Sequence, residues 1–144
     1  MTPPQSYANH KKYVFMYHRV AFALILVLLI WAIRLLIKEP SLDSVIALIT
    51  VVVLGFLFWY ARIFPLGVQN RVIRLEEELR YGRILPDDLR ARAGELSLGQ
   101  VIALRFASDE ELPGLMRQVL GGQLTTQDAI KRAIKVWRPD HYRI

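Results

Sequence analysis

Two long apolar runs dominate the first half of the chain. Residues 20–33 carry no charge, and residues 45–61 read VIALITVVVLGFLFWYA, again without one. Taken as residues 17–37, with Arg19 and Arg34 near the ends, the first run reaches about 20 residues. At roughly 1.5 Å per residue that spans a hydrocarbon core of about 30 Å. Leu42 and Ser44 extend the second run to residues 42–62. Neither run alternates with a period of two, and lipid tolerates strands only in a closed barrel. Both therefore predict helices, despite the β-branched residues of the second. Between them, KEPSLDS at residues 38–44 holds Pro40 and Ser41, which break the helix. So short a turn predicts an antiparallel hairpin.

The pattern changes after residue 65. Pro65 and Gly67 predict a break, followed by a helix over residues 68–82. Val68, Val72, Leu75 and Leu79 recur at spacings of 4, 3 and 4, one face of a helix that covers fewer heptads than a coiled coil needs but could pair across a dimer. On the outside, Arg74 with Glu78 and Glu76 with Arg80 stand at i,i+4. Glu76, Glu77 and Glu78 fan across about 200° of helix and read as a solvated face, not a converging acid cluster. Beyond Pro86, three short helices are expected over residues 97–107, 109–120 and 126–138. Ser97 with Gln100 and Ser108 with Glu111 fit the capping-box spacing, and Thr125 or Thr126 suits the start of the last helix. Asp109, Glu110 and Glu111 suit a first turn, with Pro113 kinking it or shifting its start. The expected core comprises Leu98, Val101, Ile102, Leu104 and Phe106, then Leu112, Leu115, Met116 and Val119. Ala129, Ile130, Ala133, Ile134 and Trp137 complete it.

Charge orients the hairpin. The flank before the first run holds Lys11, Lys12 and Arg19, the second run is followed by Arg62, Arg71 and Arg74, and the turn carries one cation against two acids. Basic residues stay on the cytoplasmic side, so both termini are expected there and the turn outside. Arg34, one turn from the outer end, can snorkel to the headgroups. The first run is longer than the core of a cleaved leader and continues through Trp31 without a small-x-small site, which makes it an anchor. Tyr13, Tyr17, His18, Trp31, Trp59 and Tyr60 read as membrane-interface residues. A metal reading of His10 and His18 fails on spacing, since eight residues of helix separate them by roughly 12 Å. Neither run carries an ionisable residue in its middle, and one hairpin cannot enclose a path. A homo-oligomeric transport component is thus the lower-ranked reading, and Gly55 suits close helix packing.

Composition narrows the chemistry. The chain has 144 residues, no cysteine, 53% hydrophobic residues and a net charge of +6. Thiolate catalysis, disulfides and cysteine-held metals are excluded. No phosphate-binding, dinucleotide, zinc-protease or serine-hydrolase motif occurs. Gly121–Gln123 resembles the GGQ loop of peptide release factors, but three residues at a helix end where glycine is wanted read as punctuation. Residues 65–144 carry 13 basic and 11 acidic side chains, net +2, which is weak for a nucleic-acid interface. The basic end, with Lys131, Arg132, Lys135, Arg138 and Arg143, suits anionic headgroups or a protein partner better. A membrane-tethered regulator with a nucleic-acid- or lipid-binding tail is kept as the alternative.

PQSYANHKKYVFMYH, VQNRVIRLEEELR, ALRFASDEELPGL and AIKVWRPDHYRI resemble blocks of a bacterial family of small two-span membrane proteins, a domain of unknown function. The resemblance runs along nearly the whole chain. It implies two spans and a cytoplasmic helical tail in a bacterial inner membrane, and no catalytic residue, ligand or reaction. Arg105, Phe106, Trp137, Arg138, Asp140 and Tyr142 lie in these blocks and are candidates for a partner surface. The competing reading is packing, with Phe106 and Trp137 in the core and Arg138–Asp140 as a local pair. The expectation is an all-α protein: an N-terminal segment (1–16), a transmembrane helical hairpin (17–64) and a small cytoplasmic helical domain (66–144). It is read as a non-enzymatic scaffold or accessory subunit. No cofactor, metal or small-molecule substrate is expected; the partners are the bilayer and a protein, either another chain or a second copy.

Overall fold

A computed structural model describes residues 5–9 and 13–140. The fold is all-α. A π-helical turn, Met16–Ala21, runs into α1, Phe22–Lys38. Then come α2 (Leu42–Ile84), α3 (Asp87–Arg92) with a 3-10 turn at Ala93–Glu95, α4 (Leu98–Leu104), α5 (Leu112–Leu120) and α6 (Gln127–Ala133). The described residues fall into two compact units, one of residues 13–65 and one joining residues 5–9 to residues 66–140.

In the first unit the two helices are long and apolar enough to cross a membrane by length and composition. Their side chains face outward: Leu24, Val27, Ile30, Ile49, Phe56 and Leu57 are all more than half exposed. At the turn, Ser41 and Ser44 exchange hydrogen bonds in both directions, the Ser44 Oγ donating to the Ser41 carbonyl at 2.8 Å. These bonds satisfy amides that the start of α2 would leave orphaned.

The expected break at Pro65 and Gly67 is absent, because α2 continues through both. An interior proline costs about 3 kcal/mol and a glycine about 1 kcal/mol, and the helix runs on across both. In its later part the face buried within the chain is not the apolar stripe but one that holds Glu77 and Arg80, both expected outside. Val68, Val72, Leu75 and Leu79 are exposed, whereas Ile73, Glu77, Arg80 and Tyr81 are buried.

The second unit has its own core, in which Phe106, Leu104, Leu112, Met116 and Ile130 are fully buried. Leu98, expected inside, is exposed. Ser97 and Gln100 form the complete capping box of α4. α5 starts three residues later than expected, with Pro113 in its first turn, where a missing amide costs nothing. Thr126 caps α6, accepting from Ala129 N at 3.1 Å. α6 ends at Ala133, not at residue 138. Ile134 is extended, Lys135 and Val136 form a bend, and Trp137 bridges Ala107 in antiparallel fashion. Pro139 accounts for Arg138, which its ring pushes out of the helical region. The Arg138 amide instead donates to the Phe106 carbonyl at 2.8 Å.

Candidate functional site

The extended tail is held by charges from three elements. Glu111, expected to close a capping box, gets only half of one: its amide donates to Ser108 Oγ at 3.3 Å. Its carboxylate turns to the tail and accepts from Lys135 N and Val136 N at 3.2 and 3.0 Å. Asp109, expected in a first helical turn, lies before α5 and receives Arg80 Nη2 at 2.6 Å and Nε at 2.8 Å. Arg80 thus pairs with Asp109 and Glu77, not with Glu76. Its Nη2 also donates to the Ala107 carbonyl at 2.7 Å, beside the bridge that pins the tail.

Glu77 stands at the centre. It is 3% exposed, so the solvated-face expectation fails at this position. One carboxylate oxygen accepts from Arg80 Nη1 and the other from Arg138 Nη1, each at 3.1 Å. Burial pushes the carboxyl above its ordinary value, and the guanidiniums of Arg80 and Arg138 pull back against that rise. Next to it Tyr81 is buried as well. Burial, then the Glu77 charge, raise its phenol well above the usual range. Glu77 and Tyr81 both lie beyond the segment read as the second span.

Glu77, Arg80 and Arg138 line a cleft of about 390 Å³ with Glu76, Leu79, Arg83, Arg105, Pro139 and Asp140. Four arginines face three carboxylates there. Arg105 pairs with Asp140, Nη2 to Oδ2 at 3.2 Å, and its guanidinium lies 4.4 Å from the centre of the Phe106 ring. The expected local pair Arg138–Asp140 is therefore replaced by Arg138–Glu77 and Arg105–Asp140. Phe106 and Trp137 pack ring to ring at 4.9 Å. Five of the six residues proposed for a partner surface thus come together around the tail. Tyr142 lies outside the described residues, as do His10 and His141. Sequence reasoning missed Glu77, Arg80 and Asp109: Arg80 meets Asp109 across 29 positions of the chain and Glu77 meets Arg138 across 61. Pro139 was the one local signal for the extended tail.

Residues 5–9 lie against this same unit. The Gln5 side chain accepts from the Asp140 amide at 2.7 Å, and Tyr7 donates to Asp128 beneath the Arg132 guanidinium. In the other unit, Tyr13 stacks on His18 at 4.7 Å, and Arg19 Nε donates to the Tyr13 hydroxyl at 3.2 Å. Tyr17 donates to the Phe58 carbonyl and stacks on its ring at 4.3 Å. Trp59 and Tyr60 are exposed on α2, and Trp31 lies on α1 in a shallow groove with Arg34 and Lys38. Among the described residues, no three histidine or carboxylate side chains converge as a metal site would need.

The profile of a family of unknown function, DUF6526, matches residues 1–144. The chain belongs to DUF6526. Among curated proteins and among solved structures nothing matches it. The blocks quoted from the sequence thus belong to an uncharacterised family with an all-α fold and two long apolar helices. Among the described residues, the cleft of this DUF6526 chain is lined by guanidiniums, carboxylates, a leucine and a proline. Both oxygens of the Glu77 carboxylate are held by arginine.

Proposed function

We propose that this DUF6526 protein is a two-span protein of a bacterial inner membrane that presents a helical domain to the cytoplasm as a non-catalytic scaffold or accessory subunit. One observation carries the anchor. Only 6% and 11% of the most apolar windows of the two long helices are buried within the chain, while the helical domain has a closed core of its own. Helices of such hydropathy exposed to water would cost about 25 cal/mol per Å² of apolar surface, so a bilayer is the solvent that suits them. A hairpin also returns the chain to the side it came from. The packing of residues 5–9 with residues 66–140 supports that path. The scaffold role rests on how the polar groups of the cleft are used, which is to clamp the chain's own tail.

The absence of cysteine makes the test direct. Ser41→Cys and Gln118→Cys are labelled in intact cells with a membrane-impermeant maleimide. Labelling of Ser41→Cys alone, with Gln118→Cys reacting only after lysis, is expected. Recovery in the soluble fraction, or the reverse labelling, overturns the anchor. Purification in mild detergent then tests the scaffold: a stoichiometric companion is expected, and turnover of a small molecule by the pure protein overturns it.

A further inference from the structure

Val68, Val72, Leu75 and Leu79 are 64, 48, 59 and 62% exposed, so the most regular apolar stripe in this unit is left uncovered by its own chain. Glu77 lies about 160° around α2 from both Leu75 and Leu79, at 100° per residue. The stripe therefore points away from the core that Ile73, Glu77 and Tyr81 enter. Its spacings of 4, 3 and 4 are those of successive d, a, d and a positions of a heptad. The next positions in register are Pro65 and Gly82, so the stripe is bounded at both ends.

We propose that a second copy of the chain covers this stripe, in a short parallel coiled coil two heptads long. Charge complementarity selects this occupant. In the register set by the stripe, Arg71 and Glu78 are g positions, and Glu76 and Arg83 are e positions. In a parallel pair each g faces the e five residues later on the other helix. Arg71 then faces Glu76 of the second copy, and Glu78 faces Arg83 of the second copy. By symmetry, opposite charges meet along both flanks. Glu78 also holds Arg74 of its own helix through Oε1 at 2.9 Å, a pair that the contact with Arg83 of the second copy would share. Val72 at a with Leu75 at d matches the two-stranded preference, whereas Val68 at d and Leu79 at a carry the reverse arrangement, so the flanking charges carry the choice of occupant. Flanks of mixed sign do not suit an anionic lipid surface, which selects lysine and arginine.

The parallel direction rests on the two-span reading, because copies anchored in one membrane with one orientation send α2 out in the same direction. Two heptads are marginal in water, and confinement to a membrane supplies the effective concentration they need.

Single cysteines at Val68, Val72, Leu75 and Leu79, with Arg74→Cys and Glu110→Cys as controls, are oxidised in native membranes. Disulfide dimers at all four seam positions and neither control are expected, since only a parallel seam brings identical residues together at every layer. Dimers at Val72 or Leu75 alone would indicate an antiparallel pair; that result, no dimer, or equal dimer at the controls overturns the proposal. On the Leu75→Cys background, Arg71→Glu should lose the dimer and adding Glu76→Arg should restore it. In an antiparallel pair Arg71 faces Glu78 and the second change restores nothing. The same membranes report separately on the anchor: protein that pellets with them yet fails to cross-link overturns the dimer and leaves the anchor reading standing.

Discussion

Arg138 donates to Glu77 at 3.1 Å across 61 positions of sequence, and so ties the tail to the C-terminal turns of α2. The bond is unequal in exposure. The Glu77 side chain is 4% exposed and that of Arg138 52%, so the carboxylate depends on its partners more than they depend on it.

That inequality sets the order of effects. Glu77→Ala leaves the buried Arg80 guanidinium without one of its carboxylates and is expected to cost about 3–5 kcal/mol, the usual result of breaking a buried pair from one side. Arg138→Ala removes the outer partner and is expected to cost about 1–3 kcal/mol. Denaturant unfolding of the detergent-solubilised chain checks both, with Trp137 as the fluorescent reporter after Trp31 and Trp59 are changed to Phe. A larger loss for Arg138→Ala than for Glu77→Ala would contradict the burial argument.

The pH dependence has a definite sign. Burial raises the Glu77 carboxyl in the folded state, so the native protein binds this proton more tightly than the unfolded chain does. The resulting stability is fully present below the ordinary carboxylate value of 4.5 and is lost as pH rises through the raised value. Glu77→Gln removes the titration. The stability of the parent minus that of Glu77→Gln should therefore fall as pH rises through this window. A rising difference would mean that the two guanidiniums outweigh desolvation.

What the sequence reveals here divides by distance along the chain. The apolar runs and the Ser97–Gln100 box are legible because their physics is local: hydropathy over about 20 residues, or a bond spanning three. Glu77 and Arg80 defeat local reading. Their stripe is as periodic as that of Val68, Val72, Leu75 and Leu79, but a charged stripe is buried only if partners arrive from elsewhere, and these come from Asp109 and Arg138. The apolar stripe invited burial and stays exposed within one chain. The tail shows the opposite case, because Pro139 was a local signal that the apolar spacing of Ile130, Ile134 and Trp137 outweighed.

Tyr81 carries a polar atom its surroundings do not use. Its hydroxyl is buried with no hydrogen-bond partner among the described residues. Tyr81→Phe keeps the ring and removes that atom. It should leave stability unchanged or raise it by about 1 kcal/mol, since an unsatisfied buried hydroxyl costs roughly 1–3 kcal/mol. Thermal unfolding of parent and variant decides it; a clear loss would show that the hydroxyl is satisfied by solvent.

The glycine pair after α5 separates punctuation from chemistry. Gly122 has φ of +75°, the left-handed region, and its amide donates to the Val119 carbonyl at 3.0 Å. A side chain there is strained, and Gly122→Ala should cost about 1–2 kcal/mol. At Gly121 the conformation is ordinary, but an added Cβ would stand 3.1 Å from the Arg117 carbonyl oxygen, so Gly121→Ala should cost a smaller amount. Gln123 is exposed and its amide bonds to the Gln118 carbonyl at 2.9 Å, a bond that Gln123→Ala keeps. That variant should stay within about 0.5 kcal/mol of the parent, as surface changes do. Cells carrying Gln123→Ala in place of the parent gene should match the parent in growth. A folded Gln123→Ala protein that fails to support growth where the parent succeeds would give the loop a chemical role that its geometry as a helix end does not require.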